Sequence, residues 1–283
     1  MSLQVDIAIV GVQKAGTTSL LRWLGQHPAI QAQKSMELAC FIDRSALPAG
    51  ELAKILGNEF PDNGHQNPLH LLKHVGLFED EQALRLLREH NPGVRLIAVL
   101  RQPADRAWSA FWYGRSRGYE TETDFEKAAF GRTDRHFDAP FLRRSTDYLG
   151  RGFYEKNITA LLRHFPKEQL LLLTFEDLKN EPQRVCDKVF EWLSLPSHPI
   201  ALRAENTTRL PRYAWLSRLV YLAKPLKSLL PAWVHKTLKS KFKKVNKSTQ
   251  ALPEMPTPIR TRLNELYREA NQRLYEQYGV DYR

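Results

Sequence analysis

Residues 5–19 read VDIAIVGVQKAGTTS, and residues 20–28 continue LLRWLGQHP. Val5 to Val10 is a short continuous apolar run, the pattern of a strand covered on both faces. Gly11 and Gly16 bracket a turn that contains Lys14, and Thr17, Thr18 and Ser19 open an amphipathic helix carrying Leu20, Leu21 and Leu24. Strand, glycine-containing turn and helix N-terminus together aim backbone N–H groups and the positive end of the helix dipole at one point. Residues Ala15 and Gly16 supply backbone donors, Thr17, Thr18 and Ser19 add hydroxyls, and Lys14 adds a positive charge. The segment predicts a cradle for a phosphate-sized anion. An ordinary βα turn is the plainer alternative, and Lys14 ahead of Gly-Thr-Thr-Ser weighs against it.

The spacing is close to the nucleoside-triphosphate loop G-x-x-x-x-G-K-[ST] but departs from it at one place. Thr17 stands where that loop has its lysine, and the lysine lies inside the turn at position 14. A triphosphate enzyme also needs Mg²⁺ held partly by a carboxylate at the end of a second strand. The apolar run Val94–Leu100 ends instead in Arg101-Gln102-Pro103, whereas the run Leu170–Phe175 leads into Glu176 and Asp177.

Working outward, helical patterns separate these runs: 79–89, stopped by Asn91-Pro92-Gly93, then 105–113, 124–130, 154–165 and 182–193. A last helix over 258–278 carries Ile259, Leu263, Leu266, Ala270, Leu274 and Tyr278 at spacings of three and four. Alternating strands and helices predict an α/β protein: a P-loop-like three-layer fold whose central, mostly parallel sheet is flanked by helices. In such sheets ligands bind beyond the carboxyl ends of the strands, which puts the 11–19 turn and Arg101 on one rim. Arg101 offers a planar fork suited to phosphate, and Ser109 follows two helical turns later.

The chain has 283 residues, 42% apolar and 26% charged, with no internal repeat, so a single domain over 1–283 is expected. It opens directly into a strand without a basic leader, and no apolar run reaches ~18 residues, so a cytoplasmic protein is expected. Cys40 and Cys186 lie far apart, which favours a reducing compartment over a disulfide framework. Net charge is +11, and 12 Lys/Arg against the single acid Glu205 between Arg203 and Lys247 account for it. Residues 203–250 therefore form a basic, helical region facing an anionic partner: nucleotide, acidic glycan or membrane surface. Its 213–247 stretch either lines an apolar acceptor pocket, rests on a membrane as a peripheral contact, or packs as core helices with a solvated face. No nucleic-acid recognition motif accompanies the charge, and oligomeric state is not legible.

Two motifs taken together resemble the sulfotransferase family that uses 3′-phosphoadenosine 5′-phosphosulfate (PAPS), in its heparan-sulfate and bacterial branch. VGVQKAGTTSLLRWLGQHP is similar to that family's 5′-phosphosulfate loop, and RQPADRAWSAFW (101–112) to its 3′-phosphate motif R-x-P-x-x-R-x-x-S. The likeness continues through YLGRGFYEKNITALLRHFPKEQLLLLTFEDL (148–178). The resemblance implies that Lys14, Ala15, Gly16, Thr17, Thr18 and Ser19 hold the 5′ end of PAPS and its product PAP. It assigns Arg101 and Ser109 to the 3′-phosphate, and it needs no metal. A K-E-x-x-F-F motif of that branch maps onto Met36-Glu37-Leu38-Ala39-Cys40-Phe41, and K-[ST]-P-x-Y-[FL] onto KHVGLF (73–78). Glu37 is thereby implied as general base, Lys14 as the group that follows charge onto the leaving oxygen, and Lys73 as a third catalytic residue. Arg209 and Lys247 fall where family members close loops over the cofactor. The implied acceptor is a hydroxyl or amine on a glycan, lipid or small molecule. Two rivals remain open: an ATP- or GTP-dependent P-loop kinase or hydrolase, and a non-enzymatic basic protein that binds anions at a membrane.

Overall fold

A computed structural model describes residues 3–42, 47–61, 64, 67–131, 140–202, 218–221 and 252–283. Five strands build one sheet: β1 (Ile7–Gly11), β2 (Ile30–Ala32), β3 (Leu69–Lys73), β4 (Arg95–Leu100) and β5 (Leu170–Thr174), in the order β2-β3-β1-β4-β5. Every pairing is parallel, with Ile9 opposite both Lys73 and Ile97. β1 is buried along its whole length and β4 from Leu96 onward, which is why both read as unbroken apolar runs.

Parallel neighbours need crossovers, and helices flank the sheet to supply them. α1 (Thr17–Leu24) buries Leu20, Leu21 and Leu24. α2 (Ala49–Glu59) lies between β2 and β3, and α3 (Glu81–His90) precedes β4 with Leu84 and Leu87 turned inward. The Asp80 carboxylate caps α3 by accepting from Ala83 N–H at 3.0 Å, worth ~1 kcal/mol. The α/β expectation holds, and its sheet is larger than the sequence pattern shows. β2 has three residues and β3 five, with His70 and Lys73 among them, too short and too polar to register as buried runs. β5 ends one residue early because Thr174 turns the chain into α8 (Phe175–Asn180), its hydroxyl accepting from Asp177 N–H at 3.1 Å.

The chain forms two compact units. The first comprises Met1–Gln102, Phe153–Glu205 and Tyr267–Arg283; it contains the sheet with α1 to α3, α7 (Tyr154–Leu162), α8 and α9 (Pro182–Trp192). The second comprises Pro103–Gly152 and Asn206–Leu266, with α4 (Pro103–Arg117), α5 (Phe125–Phe130) and α6 (Pro140–Thr146). The final helix, α10 (Thr257–Tyr278), contributes to both. The second unit is built on aromatic side chains: Phe111 meets Phe125 and Tyr148 edge-on at 5.5 and 5.8 Å. No helix among the described residues is long and apolar enough to cross a membrane.

Candidate active site

The turn after β1 has the geometry of an anion cradle. Lys14 and Gly16 both adopt left-handed backbone conformations, φ +71° and +77°, on either side of Ala15. Gly16 is the N-cap of α1 and has no side chain to bond the first-turn N–H groups, so at Thr17 and Thr18 the helix end carries no side-chain cap. A negative group can satisfy those donors. The turn is anchored at its start, where Val12 N–H donates to Val99 C=O of β4 at 2.8 Å. Two close approaches account for the glycines. A Cβ on Gly11 would lie 2.8 Å from Cβ of Phe78, and one on Gly16 would lie 2.8 Å from Leu178 Cδ2.

Arg101 leaves the end of β4 and locks onto this turn. Its Nη1 donates to Lys14 C=O at 2.8 Å, and its guanidinium carbon sits 4.5 Å from the Phe175 ring centroid. The Arg101 carbonyl in turn accepts from Tyr154 Oη at 2.7 Å. The structure therefore brings Lys14 to Ser19 and Arg101 together through bonds that the motif spacing does not reveal. Tyr154, Phe175 and Phe78 are additions to the sequence reading. Tyr154 and Phe175 lie inside the 148–178 stretch of resemblance, and Phe78 ends KHVGLF, but nothing in their spacing points to the cradle.

The second pairing is Glu37 with Lys73. Lys73 ends β3 opposite Ile9, two residues before the turn begins. Its side chain is 1% exposed, and its ammonium donates to Met36 C=O at 2.6 Å and to the Glu37 carboxylate. The other carboxylate oxygen accepts from Val75 N–H at 3.0 Å. Burial pushes the Lys73 pKa below its usual value, and Glu37, by charge and by hydrogen bond, pushes it part of the way back. Glu37 itself is 39% exposed, so the pair presents a carboxylate to solvent and keeps its cation inside.

Glu176 and Asp177, the acids that a Mg²⁺-dependent enzyme would use after β5, are engaged elsewhere. Glu176 accepts from Tyr282 Oη at 3.1 Å and faces Gln102 N–H at 3.4 Å, while Asp177 accepts from the Thr174 hydroxyl at 2.7 Å. Among the described residues no group of three or more His, Cys, Asp or Glu is arranged to hold a metal ion. Ser109 belongs to the second unit, where it is buried on α4. On the same helix Arg106 is fully buried and donates to Tyr148 C=O, which makes the second arginine of R-x-P-x-x-R-x-x-S a brace within that unit. Arg209, Lys247 and nearly all of 213–247 lie outside the described residues.

The signature of the sulfotransferase domain matches residues 4–211. The chain belongs to the PAPS-dependent sulfotransferase family. Among curated relatives of this sulfotransferase, the human bifunctional heparan sulfate N-deacetylase/N-sulfotransferase 3 is 27% identical over 270 residues, covering 93% of the chain and 28% of the relative. The Caenorhabditis elegans bifunctional heparan sulfate N-deacetylase/N-sulfotransferase 1 is 22% identical over 277 residues, covering 96% of the chain and 29% of the relative. The chain thus spans well under a third of either. The crystal structure of a sulfotransferase from Alicyclobacillus acidocaldarius superposes with a TM-score of 0.66 at 18% identity, covering 99% of this chain and 97% of that one, and so shares the fold.

Proposed function

We propose that residues 1–283 act as one catalytic domain that moves a sulfuryl group from PAPS to a hydroxyl or amine by in-line displacement. The observation that carries the reading is the pairing of exposed Glu37 with buried Lys73, at the end of the strand beside the Lys14 turn. The donor chemistry of the turn fits the cofactor: an uncapped helix start, three hydroxyls, Lys14 and the Arg101 fork are groups that bind phosphates. PAPS supplies an activated sulfuryl group on a phosphate leaving group. The chain's residues do the rest. Thr17, Thr18 and Ser19 would hold the 5′-phosphate, Arg101 and Ser109 would each contribute to binding the 3′-phosphate, and Lys14 would supply positive charge to the leaving group. Arg209 and Lys247, outside the described residues, would add cofactor contacts.

Glu37 takes the proton from the acceptor, at the oxygen facing Lys73 or the one facing Val75. Lys73 orients that carboxylate, which is the use of a buried cation fixed by the Met36 carbonyl. The acceptor is a glycan, lipid or small molecule, and the relatives' names make an amine-bearing glycan the first to try. Cys40 and Cys186 are buried and form no disulfide, which suits a reducing, cytoplasmic setting.

Thermal unfolding with PAP, with ATP plus Mg²⁺, and with neither tests the donor assignment. A ligand at ~100 times its Kd adds about 2.7 kcal/mol. Stabilisation by PAP is expected; stabilisation by ATP-Mg²⁺ alone overturns the reading in favour of a P-loop kinase or hydrolase. Transfer is then followed as the mass gain of one sulfuryl group on candidate acceptors, with Glu37→Gln expected to bind PAP normally and to turn over poorly.

A further inference from the structure

β2 pairs with β3 only as far as Ala32 opposite Leu71, and Gln33 N–H adds one more bond, to Leu71 C=O at 3.1 Å. The backbone then leaves the sheet: Lys34 N–H donates to Glu59 C=O at 3.3 Å and Ser35 N–H to the Glu59 carboxylate at 2.8 Å. Where the ladder stops, the Gln33 side chain takes its place. Its Oε1 accepts from Lys73 N–H at 2.8 Å, and its Nε2 donates to Lys73 C=O at 3.1 Å and to Ser35 C=O at 3.0 Å. One amide, 5% exposed, thus holds both backbone groups of Lys73 and the carbonyl two residues before Glu37. Leu38 N–H also donates to Lys73 C=O at 3.1 Å, and the Ser35 hydroxyl donates to Glu37 C=O at 3.3 Å, so residues 35–38 share one frame with Lys73.

We propose that Gln33 is a positioning residue: its amide fixes the Glu37-bearing segment against Lys73, and so sets the carboxylate–ammonium geometry without touching either charge. The inference rests on the sulfuryl-transfer reading for its functional meaning. A side chain with both a donor and an acceptor is required here. A hydrocarbon leaves the buried Lys73 N–H and the Ser35 carbonyl without this partner and takes one of two donors from the Lys73 carbonyl, and a carboxylate keeps the N–H partner but turns a negative oxygen on both carbonyls. Misplacement of a catalytic group by about 1 Å costs on the order of 10²-fold in rate, so a frame this close to the base matters.

The test is a double-mutant cycle read by urea unfolding, which needs no acceptor. Glu37→Gln, Lys73→Met and the pair are compared with wild type, first in the natural background and then in Gln33→Met and Gln33→Glu backgrounds. In the natural background the Glu37–Lys73 coupling is expected to change the unfolding equilibrium by about tenfold or more, and in either Gln33 background to fall toward onefold. A residue that serves stability alone would lower all four members of the cycle together and leave the coupling intact; that result overturns the proposal. Gln33→Glu is the isosteric variant and decides the matter if Gln33→Met does not fold. PAP-induced stabilisation is measured on the same samples. Its absence from the wild-type protein would sink the sulfuryl-transfer reading, whereas its presence with an unchanged coupling would sink only the role of Gln33.

Discussion

Replacing Glu37 by Gln leaves the Lys73 ammonium 1% exposed with Met36 C=O as its remaining bonded acceptor. Removing one partner of a fully buried ion pair costs roughly 3–5 kcal/mol. Glu37 is 39% exposed, and the neutral amide can still accept from Val75 N–H, so solvent screening brings the expected loss to about 1–3 kcal/mol. Lys73→Met removes the buried charge itself and returns the carboxylate to water, so it should cost about 1 kcal/mol or less. The ordering is the prediction: Glu37→Gln is less stable than Lys73→Met, and the double variant recovers part of the loss. Its pH dependence follows from the lysine. Lys73 titrates below 10.5 in the folded protein, so between its folded pKa and 10.5 the unfolded chain binds more protons and stability rises with pH. Both influences that raise the folded pKa come from Glu37, so Glu37→Gln lowers it further. The deficit of the variant is therefore full below its own folded pKa and closes as pH rises through the wild-type one. Urea unfolding at pH 7 and at about pH 11, above the unfolded lysine value, measures it. Glu37→Gln no less stable than Lys73→Met at pH 7, or a deficit that does not shrink at the higher pH, would refute the reasoning.

Three further outcomes are expected. Lys14→Ala should lose on the order of 10²-fold in turnover, and Lys14→Gly should be equally slow yet about 1 kcal/mol more stable than the alanine variant, because φ +71° burdens any side chain; turnover and denaturation on the same preparations check both. Gly16→Ala combines a left-handed conformation with a Cβ 2.8 Å from Leu178 Cδ2, and should lose roughly 2–4 kcal/mol; an unchanged Tm in a thermal scan would count against the packing described here. Arg101→Lys keeps the charge but loses the planar fork that binds Lys14 C=O and stacks on Phe175, so PAP affinity should fall about tenfold or more by calorimetry while Glu37→Gln leaves it unchanged.

The α/β fold was legible because β1 and β4 are covered on both faces and must be apolar throughout, and because Gly11, Lys14 and Gly16 mark the turn between β1 and α1. The turn and the arginine beside it could be anticipated from sequence for the same reason: they are local, held within one turn and one strand end. β2, β3 and the brace on Lys73 were not legible. Their stability comes from neighbours distant in sequence, so Gln33 carries no periodic or motif signal that distinguishes it from a surface glutamine.

Sequence alone determined the order of strand, glycine-bracketed turn and helix around Lys14, since spacing along one chain segment fixes a turn. Only tertiary structure decided how Glu37 meets Lys73. That pairing spans 36 residues, is positioned by strand register, and holds a lysine where burial lowers its pKa, a property no linear pattern records.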